Sequence, residues 1–288
     1  MNKENLFNKD DLKKYIEMQN RNFLSNKEKY SIDYESLCSD LLADNWDGLC
    51  KKIENYIGSL EDKKILDVGS GSGGKALSFS LKEANTVGID PNFYAIKVSS
   101  KEASQYKDLR AAFLQGLGED LPFKDNTFDL VTSFNSLEHT KEINKVISEI
   151  FRVLKKGGYL YCELPNNIFP FEGHYRIFLP LFLPKGIIRI YLKIRGFPTE
   201  GLSDLNFISR RDIFRRFDKI GFKEIRDTNI DYIIGKILHP ESVETESKRT
   251  VLSLFKKIGM SRLLSFVLVK LSIYPAIHII AKKVSEDG

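Results

Sequence analysis

From Lys64 onward, short apolar runs alternate with longer stretches whose apolar positions recur every three or four residues. The runs at 64–69, 86–90, 111–115, 128–134 and 158–164 read as strands. Helices fit between them at about 74–83, 92–106 and 140–155. The last is the clearest: Ile143, Val146, Ile147, Ile150, Phe151 and Leu154 mark one face, and Gly157-Gly158 is expected to stop it. Regular strand–helix alternation builds a parallel sheet covered by helices.

The flanks read differently. Over residues 1–57, Leu12, Tyr15, Ile16, Gln19 and Phe23 recur at helical spacing, followed by a second apolar set from Leu37 to Ile57. A helical N-terminal lid is expected there. After Pro165 the segment 166–206 is rich in Phe, Pro and basic residues, and an insertion of that length at a strand end suits a cap over an acceptor site. A helix at 208–220 and a strand at 222–229 follow, then a second insertion at 231–273. The run 276–282 is expected to return as a seventh strand, antiparallel beside 222–229. The expected division is 1–57 lid, 58–165 cofactor core, 166–206 acceptor cap, and 207–288 the rest of the core, with 231–273 inserted.

Composition narrows the class. The 288 residues are 42% hydrophobic and 29% charged, which suits a globular chain and excludes disordered or collagen-like readings. Cys38, Cys50 and Cys162 form no C-x-x-C pair, so no metal and no disulfide framework are expected, and a reduced cytoplasmic compartment fits. The charged start at Met1–Lys14 does not read as a signal peptide. Leu271–Ala281 is far short of the roughly 20 apolar residues of a membrane span. Charge is uneven: residues 1–165 carry 23 Lys and Arg against 26 Asp and Glu, a net of −3, whereas 166–288 carry 21 against 13, a net of +8. The two parts therefore face different partners.

Ile65-Leu66-Asp67-Val68-Gly69-Ser70-Gly71-Ser72-Gly73-Gly74 is a strand running into a glycine turn and a helix. Gly69, Gly71 and Gly74 also satisfy the G-x-G-x-x-G of dinucleotide binders, so the turn alone leaves the ligand open. Val87-Gly88-Ile89-Asp90 places an acid 21 positions beyond Gly69, where it can accept ribose hydroxyls or merely cap the helix begun at Pro91. Gly118-Glu119-Asp120-Leu121-Pro122-Phe123 follows the third strand, and Ser133-Phe134-Asn135-Ser136-Leu137-Glu138-His139 the fourth.

Over roughly 60–230 these motifs together resemble the class I S-adenosylmethionine-dependent methyltransferases, in the branch that includes quinone and sugar methyltransferases. The resemblance implies a Rossmann-like α/β fold, doubly wound, with S-adenosyl-L-methionine as cofactor. It also implies that Gly69 and Gly71 line the methionine moiety by their backbones, that Gly73 is a further cofactor-binding residue, that Asp90 holds the ribose, and that Asp120 with the Leu121 backbone addresses the adenine. Glu119 is the alternative to Asp120, and Asn135 is placed near the transferring methyl. The chemistry agrees: the cofactor carries an ammonium and a sulfonium, and Asp67 suits an ammonium, directly or through water, better than a pyrophosphate.

Methyl transfer from a sulfonium needs alignment and desolvation, and a base only if the acceptor loses a proton. His139 is a candidate base or a loop-ordering residue, and His174, within Glu172-Gly173-His174-Tyr175-Arg176, can fold over the acceptor pocket. His278 is expected in the core and His239 in a loop. Apolar residues interleave with Lys185, Arg189, Lys193 and Arg195, and again over 252–274. Both stretches suit an anionic membrane surface, or packing on each other or on a second copy. Nucleic acid is disfavoured, because the basic residues lie among aliphatics and no Asn/Asp-Pro-Pro-aromatic stretch is present. The sequence thus predicts O-methylation of a saccharide, a lipid-linked intermediate or another hydrophobic small molecule, with peripheral membrane contact. The rivals are an NAD(P)-dependent oxidoreductase and a non-catalytic membrane-associated binding protein on the same fold.

Overall fold

A computed structural model describes residues 9–20, 46–179, 183–243 and 245–284. The central sheet takes β1 (Lys64–Val68), β2 (Asn85–Asp90), β3 (Ala111–Gln115), β4 (Phe128–Phe134) and β5 (Leu154–Pro165). A two-stranded hairpin of β6 (Phe171–Glu172) and β7 (Ile177–Phe178) lies apart, and β8 (Phe222–Asp227) and β9 (Ala276–Lys283) complete the seven strands. The sheet order is β3-β2-β1-β4-β5-β9-β8. The first five strands are parallel, while β9 is antiparallel to both β5 and β8. This is the expected doubly wound α/β sheet with an antiparallel last strand.

Neighbouring residues on the strands serve opposite faces, so each strand contributes to two cores. Leu66, Val131, Leu160 and Ile279 pack with α5 (Ile143–Val153) and α7 (Arg210–Ile220). Their neighbours Ile65, Leu130, Tyr161 and Ile280 pack on the other face with Cys50 and Ile53 of α2 (Asp47–Ile57) and Phe79 of α3 (Gly74–Ser80). Burial of both faces explains why these strands read as continuous apolar runs. On β2's side, α4 (Phe93–Ala103) begins where Asn92 Oδ1 accepts the Tyr94 amide at 2.9 Å, and α1 (Lys9–Asn20) packs on α4. The rest of the expected lid, 21–45, lies outside the described residues.

The end of α5 departs from expectation. Gly157-Gly158 does not stop the helix; α5 ends at Val153, and both glycines lie inside β5, where the pairing with β4 shifts register between Phe128 and Leu130. The helix end is held from the far end of the chain. Lys283 Nζ on β9 donates to the carbonyls of Phe151 (2.7 Å) and Leu154 (2.7 Å) and to Asn126 Oδ1 (3.0 Å). A buried ammonium at a helix C-terminus meets both the orphan carbonyls and the negative end of the dipole.

His278 is also corrected. It is no core residue: its Nδ1 accepts from Lys52 Nζ at 2.8 Å and lies 3.3 Å from Glu163 Oε1. Such a ring needs polar neighbours, which the apolar run around it in sequence does not reveal.

The insertion after β5 holds the β6–β7 hairpin and α6 (Lys185–Ile194) around a small core of its own, including Tyr175, Leu179, Ile188 and Leu192. The second insertion is helical: α8 (Asn229–Leu238), α9 (Glu246–Lys257) and α10 (Ser261–Lys270) pack on one another.

Candidate cofactor and acceptor site

In the order β3-β2-β1-β4-β5, the crossovers leave in opposite directions between β1 and β4, and the carboxyl ends of those strands open a crevice for ligands. Asp67 and Thr132 face each other in register there, and Thr132 Oγ1 donates to Asp67 Oδ1 at 2.8 Å. Burial pushes the Asp67 carboxyl up to about 6, against the lowering effects of Thr132 and the Lys75 charge. The Lys75 ammonium itself sits 4.0 Å from the Trp46 ring centroid and 5.1 Å from that of Phe134. At the end of β2, Asp90 accepts the Gly71 amide at 2.9 Å and the Asn92 amide at 2.8 Å, one on each oxygen. Burial raises its pKa, and those two amides oppose the shift.

The turn between these acids has no room for side chains. Gly69 holds φ +74°, and a Cβ there would meet the Ser136 Cβ at 2.3 Å. Ser136 is fixed in turn by its hydroxyl, which donates to the Val68 carbonyl at 3.0 Å. At Gly71 the corresponding neighbour is the Tyr15 hydroxyl of α1, 2.9 Å away, which brings the N-terminal helix onto the turn. At Gly73, φ +88°, a Cβ would meet Ser99 at 2.6 Å and Phe113 at 2.8 Å, so packing also requires a glycine there.

The loop after β3 is also corrected in part. Leu121 does not offer its backbone to a ligand: its amide donates to Glu149 Oε2 at 2.9 Å and its carbonyl accepts from Arg152 at 3.0 Å. Glu119 Oε1 accepts the Lys141 amide at 3.1 Å, while Asp120 is exposed. The Glu149–Arg152 pair on α5, which also binds Asp125 at 2.7 Å, thus ties the whole loop to the helix; nothing local in 118–123 signals it.

At the end of β4, Asn135 is exposed in the left-handed region at φ +48°. A 3₁₀ turn over Leu137–His139 follows, and the hairpin turn between β6 and β7 reaches it. Glu172 shapes that turn, with Oε2 accepting the Tyr175 amide at 2.7 Å and Oε1 lying 2.7 Å from His174 Nδ1. A carboxylate only accepts, so His174 donates through Nδ1 and turns the lone pair of Nε2 toward His139 Nε2, 3.1 Å away. The rings meet edge to face at 4.8 Å. Burial lowers the His174 pKa, but the Glu172 bond and charge and the Glu138 charge outweigh it, and the net shift is upward. His139 reaches solvent at one edge, yet desolvation on the other side and the facing His174 hold its pKa below the ordinary imidazole range. The structure therefore brings together two histidines that are 35 positions apart, and adds Glu138 and Glu172, which sequence reasoning did not single out. A cavity of about 20 Å³ adjoins them, lined by Glu138, Asn166, Glu172, His174, Asn206 and Phe207 among others.

Residues 66–162 match the family described as a methyltransferase domain. That segment is a methyltransferase domain of the class I, S-adenosylmethionine-dependent kind. Among curated relatives, the uncharacterized methyltransferase YcgJ of Bacillus subtilis is 34% identical over 34% of this chain and 38% of its own length. Sterol 24-C-methyltransferase of Aspergillus fumigatus is 30% identical, over 58% of this chain and 46% of its own. Demethylmenaquinone methyltransferase of Symbiobacterium thermophilum is 31% identical, over 54% and 65%. The chain thus spans between about two fifths and two thirds of these relatives' lengths. The solved YcgJ structure shares the fold, at TM-score 0.51 and 17% identity over 82% of this chain and 98% of YcgJ. So does a Haemonchus contortus phosphoethanolamine N-methyltransferase in complex with S-adenosylhomocysteine, at 0.54 and 18% over 83% and 53%.

The donors at the crevice fit the family's cofactor. Two buried carboxylates, Asp67 and Asp90, end neighbouring strands. They suit a ligand with cationic groups and a diol, and would repel the pyrophosphate of a dinucleotide.

Proposed function

We propose that this protein transfers a methyl group to a hydroxyl of a small, hydrophobic, saccharide-bearing or lipid-linked acceptor. The bound S-adenosyl-L-methionine supplies the methyl group on an already activated sulfonium. Asp67 meets the cofactor's ammonium, and Asp90 accepts from the ribose hydroxyls on lone pairs its two amide partners leave free. Asp120 serves the adenine, and Asn135 lies toward the methyl-bearing end. His139 takes the acceptor's proton; His174, held by Glu172, orients it. The observation that carries this reading is the Glu172–His174–His139 chain, which sits at the end of β4 on the same sheet edge as Asp67 and Asp90.

The test is calorimetry with S-adenosylmethionine, followed by incubation with methyl-labelled cofactor and a quinol, a glycolipid extract and a free saccharide. One cofactor per chain and label in one acceptor class, lost in His139→Ala, are expected. Cofactor binding without label in any acceptor would sink the acceptor assignment alone.

A membrane surface is the proposed place of action. Helix α6 exposes Ile187, Ile190 and Ile194 at 50%, 60% and 79%, three positions at i, i+3 and i+7 and so in one row. The stretch 185–195 carries Lys185, Arg189, Lys193 and Arg195 and no acid. Apolar side chains beside cations suit anionic headgroups. Among the described residues no helix is long and apolar enough to cross a membrane, so contact would be peripheral. Flotation with phosphatidylglycerol-rich vesicles, lost in Ile190→Asp/Ile194→Asp, is the expected result; no flotation of the unaltered chain overturns it.

A further inference from the structure

Glu138 is buried at 1% exposure, and neither of its oxygens meets a hydrogen-bond partner on another residue among the described residues. An orphaned buried carboxyl costs several kcal/mol unless something compensates it. Two imidazole nitrogens stand beside it: the ligand atoms of Glu138, His139 and His174 all lie within 4.8 Å of one another.

The spacing suits one small cation. Two nitrogens bound tetrahedrally to zinc at about 2.0–2.1 Å are separated by about 3.3 Å, and the two Nε2 atoms here are 3.1 Å apart. One of the two lone pairs is fixed by its surroundings. Glu172 accepts from His174 Nδ1 at 2.7 Å, which fixes the tautomer that leaves Nε2 as a ligand atom. Carboxylates behind a ligating histidine commonly play this part. The flanking segment is built in as well, since the Glu138 carbonyl accepts the Asn206 amide at 2.7 Å and Asn206 Nδ2 donates to the Thr140 carbonyl at 2.6 Å. Cysteine spacing in the sequence gives no hint of such a site, because its donors are one carboxylate and two histidines from two separate loops.

We propose that Glu138, His139 and His174 form a divalent transition-cation site of the zinc class, with Glu172 as its outer partner. Three protein ligands leave one coordination position, as in sites that also hold water or a substrate oxygen. The exposed edge of His139 gives the cation a way in. The inference stands on this geometry and not on the proposed methyl transfer. Cation and proton draw on the same lone pairs, so the cluster alternates between the two states.

Zn²⁺ titration of the full chain by calorimetry, with Co²⁺ absorption to report coordination, tests the site. One Zn²⁺ per chain and a tetrahedral Co²⁺ spectrum are expected. Affinity falls at least tenfold in Glu138→Gln and in His174→Ala, and a further variant, Glu172→Gln, loses about tenfold through its outer position. S-adenosylmethionine binding, measured on the same variants, reports that they are folded and reads the cofactor assignment separately. No Zn²⁺ binding by the unaltered chain, or binding unchanged in folded Glu138→Gln, overturns the proposal.

Discussion

Asp90 and Gly71 are joined by a 2.9 Å hydrogen bond, from the glycine amide to the carboxylate, so the acid that ends β2 also braces the turn that follows β1. Its other oxygen accepts the Asn92 amide at 2.8 Å. Replacing Asp90 with Ala orphans both amides, at about 1–3 kcal/mol for a buried donor. We expect Asp90→Ala to lower S-adenosylmethionine affinity at least tenfold by calorimetry and to lower stability in urea. Asp90→Asn, which keeps an acceptor, should retain more of the stability than of the affinity. Unaltered affinity in both would show that Asp90 does not touch the cofactor.

Asp67 predicts a pH dependence of stability. Its folded pKa, about 6, lies above the unfolded value of 3.8. Between those values the unfolded chain has released the proton while the folded chain keeps it. Stability therefore falls as pH rises from about 4 to about 6, by roughly 3 kcal/mol if Asp67 acts alone. Asp67→Asn keeps an oxygen for Thr132 and should flatten that part of the profile; melting curves between pH 4 and 7 measure it. A variant profile parallel to the parent's would count against the shift.

Two glycines with positive φ should respond differently to alanine. At Gly69 the new methyl meets Ser136 at 2.3 Å, whereas at Gly157, φ +80°, nothing lies within 4 Å. Gly157→Ala should cost about 1–2 kcal/mol of backbone strain alone. Gly69→Ala adds a collision in the crevice, so both stability and cofactor affinity should fall further. Comparing urea midpoints and cofactor binding of the two variants checks this.

Lys283→Met should lower stability by about 1–3 kcal/mol, because the carbonyls of Phe151 and Leu154 lose their buried donor. Hydrogen exchange should rise at the end of α5 and along β9, while the cofactor crevice stays protected. Uniform loss of protection would mean that the contact supports the whole fold rather than this corner.

The layers of the fold were legible because each strand repeats one signal: Ile65 and Leu66, or Leu130 and Val131, serve opposite faces of the same sheet. The acids at strand ends were legible because their spacing from the glycine turn is local. What sequence could not reveal depends on distant partners. The stop of α5 is made by a lysine about 130 positions away, and the Leu121 backbone is taken up by residues 28 and 31 positions on. The histidine pair is likewise assembled by a hairpin turn whose shape depends on Glu172, and the carboxyl of Glu138 carries meaning only once its burial is known.

The two excursions from the sheet share one edge. The chain leaves β8 at Asp227 and returns at Ala276 on the neighbouring strand β9, with the Thr228 amide donating to the His278 carbonyl at 2.7 Å and Asn229 Nδ2 to the Ala276 carbonyl at 2.7 Å. The other excursion starts where Asn166 donates to the Pro275 and Ser272 carbonyls, at 3.0 and 2.6 Å. The excursion between β8 and β9 is thus closed at its own root, and the exit from β5 is clamped to that same root. Loops with adjacent ends can change length at small entropic cost, so this corner works as a socket: segments grafted between these clamps could retool acceptor choice while the crevice of Asp67 and Asp90 keeps its register.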